Sequence, residues 1–417
     1  MCIRDRISSS GTAAISAVSM VDSINVFFLN VFVALATGGT VVVAQYKGVE
    51  NRDMVSRSAA QAIAVVPLVA LALAVLMILF RRPILMGMFG QAEAAVLENA
   101  DLYFLGSCIS YPSYAAFQAV CCTLRGVGET RPSLMISLSA NLALMLSNVL
   151  FITVLHLGVL GLSFSLNFAR ILGTVIGLIY LVKFDRSLSF RLRSLLRFDF
   201  SIQKKILLIG IPFAAENVFF NGGKMLTQTF IVQLGTLALA TNAISNSFFM
   251  VLQIPSNALS LAVVTVVGQC MGRRSIDDSR KLVRSFLVLS SGAMLLTSLI
   301  ILPLYPILVQ LFSPDPSIVD DIFQILIVCT IGHPTVWSFS FILPSAMRAA
   351  GDAKFTSITA FITMWSVRVV VGYLLGITLH FGLIGIWIAM IIEWAVRGLI
   401  FFFRFRGSKW CTHHLID

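Results

Sequence analysis

The chain has 417 residues, of which 58% are apolar and only 12% charged, with a formal net charge of +11. Soluble domains carry about 25% charged residues, and no soluble fold of this length hides so much apolar surface, which leaves lipid as the solvent. The basic excess does not point to nucleic acid, because the Lys and Arg fall in the breaks between apolar runs, the pattern of membrane topology.

In chain order, residues 1–10 (MCIRDRISSS) are polar and read as a non-native or truncated leader, outside the fold. Eleven apolar stretches follow, at 12–44, 58–80, 94–124, 132–156, 159–182, 205–234, 236–269, 284–310, 318–348, 355–379 and 383–404. Each supplies the ~20 residues a spanning helix needs, and the longest must tilt or project beyond the bilayer. The ~10-residue alternation of a porin-type barrel is absent. The longest break, 183–204, is a basic amphipathic linker of the kind that lies on a membrane surface. The expected fold is an all-α polytopic membrane protein with eleven spans. The seven Cys have no metal-ligand spacing and read as small buried side chains.

Numbering the breaks alternately puts 22 of the 30 Lys and Arg on one side and Arg4, Arg6, Arg81 and Arg82 on the other. The basic side, Arg348 included, is expected in the cytoplasm with the C-terminus. An internal repeat runs through the chain: VVVAQYKG at 41–48 matches TVVGQCMG at 265–272, LRGVGE at 124–129 matches MRAAGD at 347–352, and LHLGVLG at 155–161 matches LHFGLIG at 379–385. These offsets are 223 or 224 residues. The second copy has a whole helix, 205–234, before its Gly235, whereas the first has ten polar residues before Gly11. Twelve spans are therefore expected in the complete protein, six per copy, related as parallel repeats about the membrane normal. The expected lobes are 11–182 and 205–417, joined by 183–204.

Seven charged residues lie inside apolar stretches: Asp22, Arg170, Glu216, Lys224, Arg368, Glu393 and Arg397. Each costs roughly 2.5–3.5 kcal/mol to insert, so each needs a partner or a function. Glu216 follows Pro212, which removes a backbone donor and loosens the helix. A carboxylate there can neutralise an organic cation, ligate Na⁺ or carry a proton; the competing use is an ion pair, with Lys224 on the same face two turns away. Asp22 is the second candidate carboxylate. Glu393 and Arg397, spaced i and i+4, fit a structural ion pair. Arg368 and Arg170 are expected to hold acidic partners or reach headgroups. Asn141, Asn148 and Asn167 suit interhelical hydrogen bonds, and Asn141 and Asn148 share a face that also suits a cleft lining, as do Lys224 and Arg368. His156 and His380 occupy equivalent places before Gly158 and Gly382 and read as turn residues. Gly38, Gly39 and Gly128 read as close-approach or turn positions.

ATGGTVVVAQYKG at 36–48, LRGVGETRPSLMIS at 124–137, IGIPFAAENVFFNGGKML at 209–226, TVVGQCMGRRSIDDSRK at 265–281 and PSAMRAAGDAKF at 344–355 together resemble the multidrug and toxic compound extrusion (MATE) family, over nearly all of Gly11–Trp410. The resemblance implies two helical lobes around a central cleft in the bacterial cytoplasmic membrane. It also implies export of organic cations and drugs against entry of H⁺ or Na⁺, with no cofactor. It puts an acidic coupling residue on the helix of Glu216, with Na⁺ there as an option and no other metal. The family's first helix, which carries an acid in proton-linked members, is absent, and so is the acid that Na⁺-linked members carry on the helix of Arg368. The expected partners are small organic cations and lipid, with the protein a monomer. The alternatives are a flippase for lipid-linked oligosaccharides of the same wider superfamily, which a basic cleft favours, and an inactive fragment. A membrane enzyme is disfavoured, because neither paired acids nor H-E-x-x-H occurs, and there is no nucleotide-binding G-x-x-x-x-G-K.

Overall fold

The computed structural model describes residues 12–90, 92–185, 188, 190, 194–195, 197–413 and 415. Arg186, Arg191 and Arg193 of the expected linker, and the 1–10 leader, lie outside the described residues. The described chain is helical: α1 (Thr12–Gly48), α2 (Arg52–Leu79), short α3 (Arg81–Phe89), α4 (Ala94–Gly126), α5 (Thr130–Val154) and α6 (Gly158–Lys183). There follow α7 (Phe200–Gln233), α8 (Thr236–Gly272), α9 (Ile276–Gln310), α10 (Pro316–Ala349), α11 (Ala353–Thr378) and α12 (Gly382–Arg406).

Ten of these helices are long and apolar enough to cross a membrane. The stretch expected as a further span at 94–124 is the helix α4, but Tyr, Ser and Gln dilute its apolar content. The reason is its position: α4 is packed by α1, α2 and α6, so its polar groups face protein and not lipid. Outward faces are apolar instead, with Leu79 72% and Val288 74% exposed.

The chain forms two compact units, Met1–Ala214 and Ala215–Asp417. The division falls inside α7, beyond the expected lobe start at 205. In the first unit α4 is the hub, and α5 packs on α6. Close crossings use glycine: a Cβ on Gly210 would stand 3.0 Å from the Leu35 Cα, and one on Gly39 2.7 Å from the Ala62 Cβ. In the second unit α8 packs on α9 and α10, and α12 packs on α10 and α11. The end of the linker is fixed by Gln61 of α2, which accepts from the Asp199 N–H (3.2 Å) and from Gln203 (2.8 Å) and donates to the Arg197 carbonyl. Asp199 then caps α7 by accepting from the Ser201 and Ile202 N–H groups.

The repeat seen in sequence is also a repeat of backbone geometry. Four pairs of equivalent residues have positive φ: Glu50 and Arg274, Gly128 and Gly351, His156 (φ 50°) and His380 (φ 58°), Gly158 and Gly382. The hydrogen bonds match as well. The Leu155 and Leu379 N–H groups donate to the Leu150 and Leu374 carbonyls at 2.9 and 2.8 Å, closing wide π-turns at the ends of α5 and α11.

Candidate functional site

Pro212 sits one turn before Glu216 on α7, and Glu216, Phe220 and Lys224 follow at i, i+4 and i+8, one face of the helix. Around that face the second unit builds two polar layers. In the first, Glu216 accepts from Arg348 Nη1 at 3.2–3.3 Å and from the Ser357 hydroxyl at 3.2 Å. Arg348 also donates to the Ser345 hydroxyl. The partner of Glu216 is therefore Arg348 and not Lys224. Arg348, expected in a cytoplasmic break, is 7% exposed inside the last turn of α10. The expected span ends at residue 348 and Arg348 counts with the break that follows, while the helix runs on to Ala349.

The second layer is centred on the Phe220 ring. Lys224 Nζ stands 5.1 Å from its centroid, Arg397 Cζ 5.5 Å and Arg368 Cζ 5.8 Å. Glu393 and Arg397 form an ion pair at 3.3 Å, both buried. Thr363 donates to Glu393, Arg397 donates to the Ser340 hydroxyl, and Arg397 stacks 4.6 Å from the Phe341 ring. Arg368 lies within a π-turn of α11, Met364–Val369, which is brought against α7 because Gly223 leaves room for Met364. π-turns inside α-helices mark functional sites often. Beyond Phe220 opens a cavity of about 220 Å³, lined by Lys224, Arg368, Asn242, Trp387 and Trp394 among others. Asn242 accepts from Trp387 Nε1 and donates to Gln228.

The first unit holds a separate polar chain. Asp22 accepts from the Tyr103 hydroxyl at 2.9 Å and from Asn25 at 3.2 Å. Asn25 also donates to the Ser107 hydroxyl and accepts from Tyr111. Among the described residues no Lys or Arg lies within ion-pair distance of Asp22. Arg170 donates to the Ser110 hydroxyl and lies over the Tyr114 ring at 4.8 Å. Asn167 donates to the Gly106 carbonyl, joining α6 to α4. Of the two Asn expected to share a face, Asn141 is exposed and Asn148 buried, with its side-chain oxygen lacking a partner among the described residues.

Sequence reasoning passed over Arg348, the Phe220 platform and His333. The His333 ring is buried against Phe249 and Trp394, with Nδ1 2.7 Å from the Cys329 carbonyl. A His-Pro pair inside an apolar run was the available signal. No sequence pattern singles out one Phe among 32.

Comparison with known proteins agrees in both units. The chain is 28% identical over 404 residues to YisQ of Bacillus subtilis, named as an uncharacterized transporter, covering 95% of this chain and 87% of that one. It is 26% identical over 394 residues to the probable multidrug resistance protein NorM of Thermotoga maritima, covering 91% and 82%. A solved outward-facing multidrug resistance MATE family transporter of the MOP superfamily superposes with a TM-score of 0.84 at 18% identity, over 95% of this chain and 88% of that one. So does a MOP superfamily transporter from Pyrococcus furiosus, described as having a binding pocket of reverse polarity, with a TM-score of 0.84 at 18% identity over 97% and 90%. The MatE family model matches residues 6–150 and 212–374, most of the chain, including Asp22 in the first unit and Glu216, Arg348 and Arg368 in the second, so this chain belongs to the MatE family.

Proposed function

We propose that the chain works as a secondary active transporter that exports amphiphilic drugs, organic cations among them, by alternating access driven by H⁺ or Na⁺ entry. The observation that carries this is Asp22, a carboxylate in an apolar span whose hydrogen bonds among the described residues come from the neutral donors Tyr103 and Asn25. With no ion pair among the described residues it can meet a coupling ion or a cationic cargo, whereas Glu216 is paired with Arg348. The membrane potential assists cation entry by about 2.3 kcal/mol per charge per 100 mV. The relatives named as multidrug resistance proteins, NorM and MdtK, support drugs as the cargo. In this reading the protein lies in the bacterial cytoplasmic membrane with its C-terminus in the cytoplasm.

The test is ethidium efflux from proteoliposomes under an imposed H⁺ or Na⁺ gradient. Asp22→Asn is expected to lower efflux at least about tenfold, the cost of one charge-assisted contact, while Tyr103→Phe keeps most of it. Full efflux by Asp22→Asn under both gradients defeats the assignment.

A further inference from the structure

The second-unit cavity has a charge that no organic cation would choose. Its charged wall is Lys224 and Arg368, with Arg397 behind the same Phe220 ring. The charged neighbours of Lys224 are Arg368 and Arg397, both cations. The carboxylate at this layer is Glu393, which pairs with Arg397 through Oε1 and also acts on Arg368, while its Oε2 has no hydrogen-bond partner among the described residues. Three cations and one carboxylate leave two positive charges beside one aromatic ring. Glu216 does not restore the balance, since Arg348 engages it.

A structural role for this cluster would pair each cation. Instead, Arg368 Nε and Arg397 Nη2 are buried and have no hydrogen-bond partner among the described residues. Buried guanidinium groups left in this state are costly unless an anion completes them. Repulsion among three like charges opposes the same arrangement. A bound anion relieves both, and a planar guanidinium suits a carboxylate, sulfonate or phosphate. The rest of the lining suits what such a headgroup would carry. Phe220, Trp387 and Trp394 give the lining apolar surface that suits an aromatic or apolar body, and Asn242 and Gln228 give it polar groups.

We infer that this cavity binds the oxyanion headgroup of an amphiphile, with Lys224 and Arg368 as its direct contacts and Arg397, anchored by Glu393, as the positioning residue behind them. The inference deepens the transporter reading, on which it rests for calling the ligand cargo. It gives the second unit a preference opposite to that of Asp22 in the first, so the protein accepts anionic or amphoteric compounds as well as cations.

The experiment is equilibrium binding of a naphthalene sulfonate to the protein in lipid nanodiscs, read by quenching of tryptophan emission. It needs no transport, so a failure here with ethidium efflux intact removes only this inference, and the reverse removes only the transporter reading. Lys224→Gln and Arg368→Gln are each expected to weaken binding about tenfold to a hundredfold, the range of a charge-assisted hydrogen bond. Lys224 is exposed, so its variant should fold, and Arg368→Lys should recover part of the affinity. Displacement by inorganic pyrophosphate assigns the headgroup to a phosphorylated lipid, and lack of displacement assigns it to an organic acid. Unchanged affinity in both Gln variants, or competitive displacement by ethidium at equal concentration, overturns the proposal.

Discussion

At the scale of residues, Glu216 shows both how far a sequence carries and where it stops. Its cost of insertion and its place after Pro212 marked it as needing a partner inside the bundle, and it has one. The partner was hidden because Arg348 stands at the end of an expected span and counts with the basic residues of the break beyond it. The pair has a measurable signature. Both side chains are largely buried, at 15% exposure for Glu216 and 8% for Arg348. Glu216→Gln removes the carboxylate that meets the buried Arg348 charge, and thermal unfolding should show a loss of about 3 kcal/mol. Adding Arg348→Met removes the cation as well and should restore most of the stability. If the double variant is as unstable as the single, the pair is not what holds these helices. Transport by Glu216→Gln is thus interpretable only beside the double variant, whereas Asp22→Asn breaks no ion pair among the described residues.

At the scale of elements, helices and their breaks were legible, because apolar runs and charged gaps alternate over the whole chain. The wide π-turns were not, since no composition distinguishes an i→i+5 bond from an i→i+4 bond. Their packing is visible at Gly161 and Gly385, equivalent positions in the two copies. A Cβ on Gly161 would lie 2.7 Å from the Phe151 carbonyl oxygen, and one on Gly385 2.8 Å from that of Leu375. Backbone cannot swing aside as a side chain can. Gly161→Ala and Gly385→Ala are therefore expected to lower the unfolding temperature by similar amounts, each costing about 1–3 kcal/mol as overpacking does. Gly223→Ala is expected to cost less, because the atoms it meets belong to the flexible Met364 side chain. Equal losses in all three would show that these contacts do not set the helix spacing.

At the scale of the whole molecule, the basic residues still argue for orientation after Arg348 is removed from the count, since alternate numbering of the breaks assigns Lys47, Arg52, Arg57, Arg273, Arg274 and Arg280 to the same expected side. Single cysteines placed in 45–57 or 271–284 should resist a membrane-impermeant thiol reagent in intact cells and react once the cells are opened. Strong labelling from outside would reverse the assigned topology. Fold class was readable because lipid leaves so few architectures open. The polarity of the second-unit cavity was not, because four charged residues spread over 174 positions, from Lys224 to Arg397, give no hint that three cations share one ring.

The paired left-handed turns carry a historical meaning. A His forced into that backbone shape is uncommon, and finding it twice, before a left-handed Gly each time, is the mark of one ancestral gene segment copied onto itself. The joints were inherited with their dihedral angles, while the side chains around them parted ways: Arg125 turns to the Cys122 sulfur, and its counterpart Arg348 to a carboxylate. Duplication of this kind lets one descendant keep a trait while its twin acquires another. Transplanting the LHLGVLG joint in place of LHFGLIG should therefore pass unnoticed by the host fold, and the divergence in ligand taste between the siblings must be sought in the helices that the joints connect.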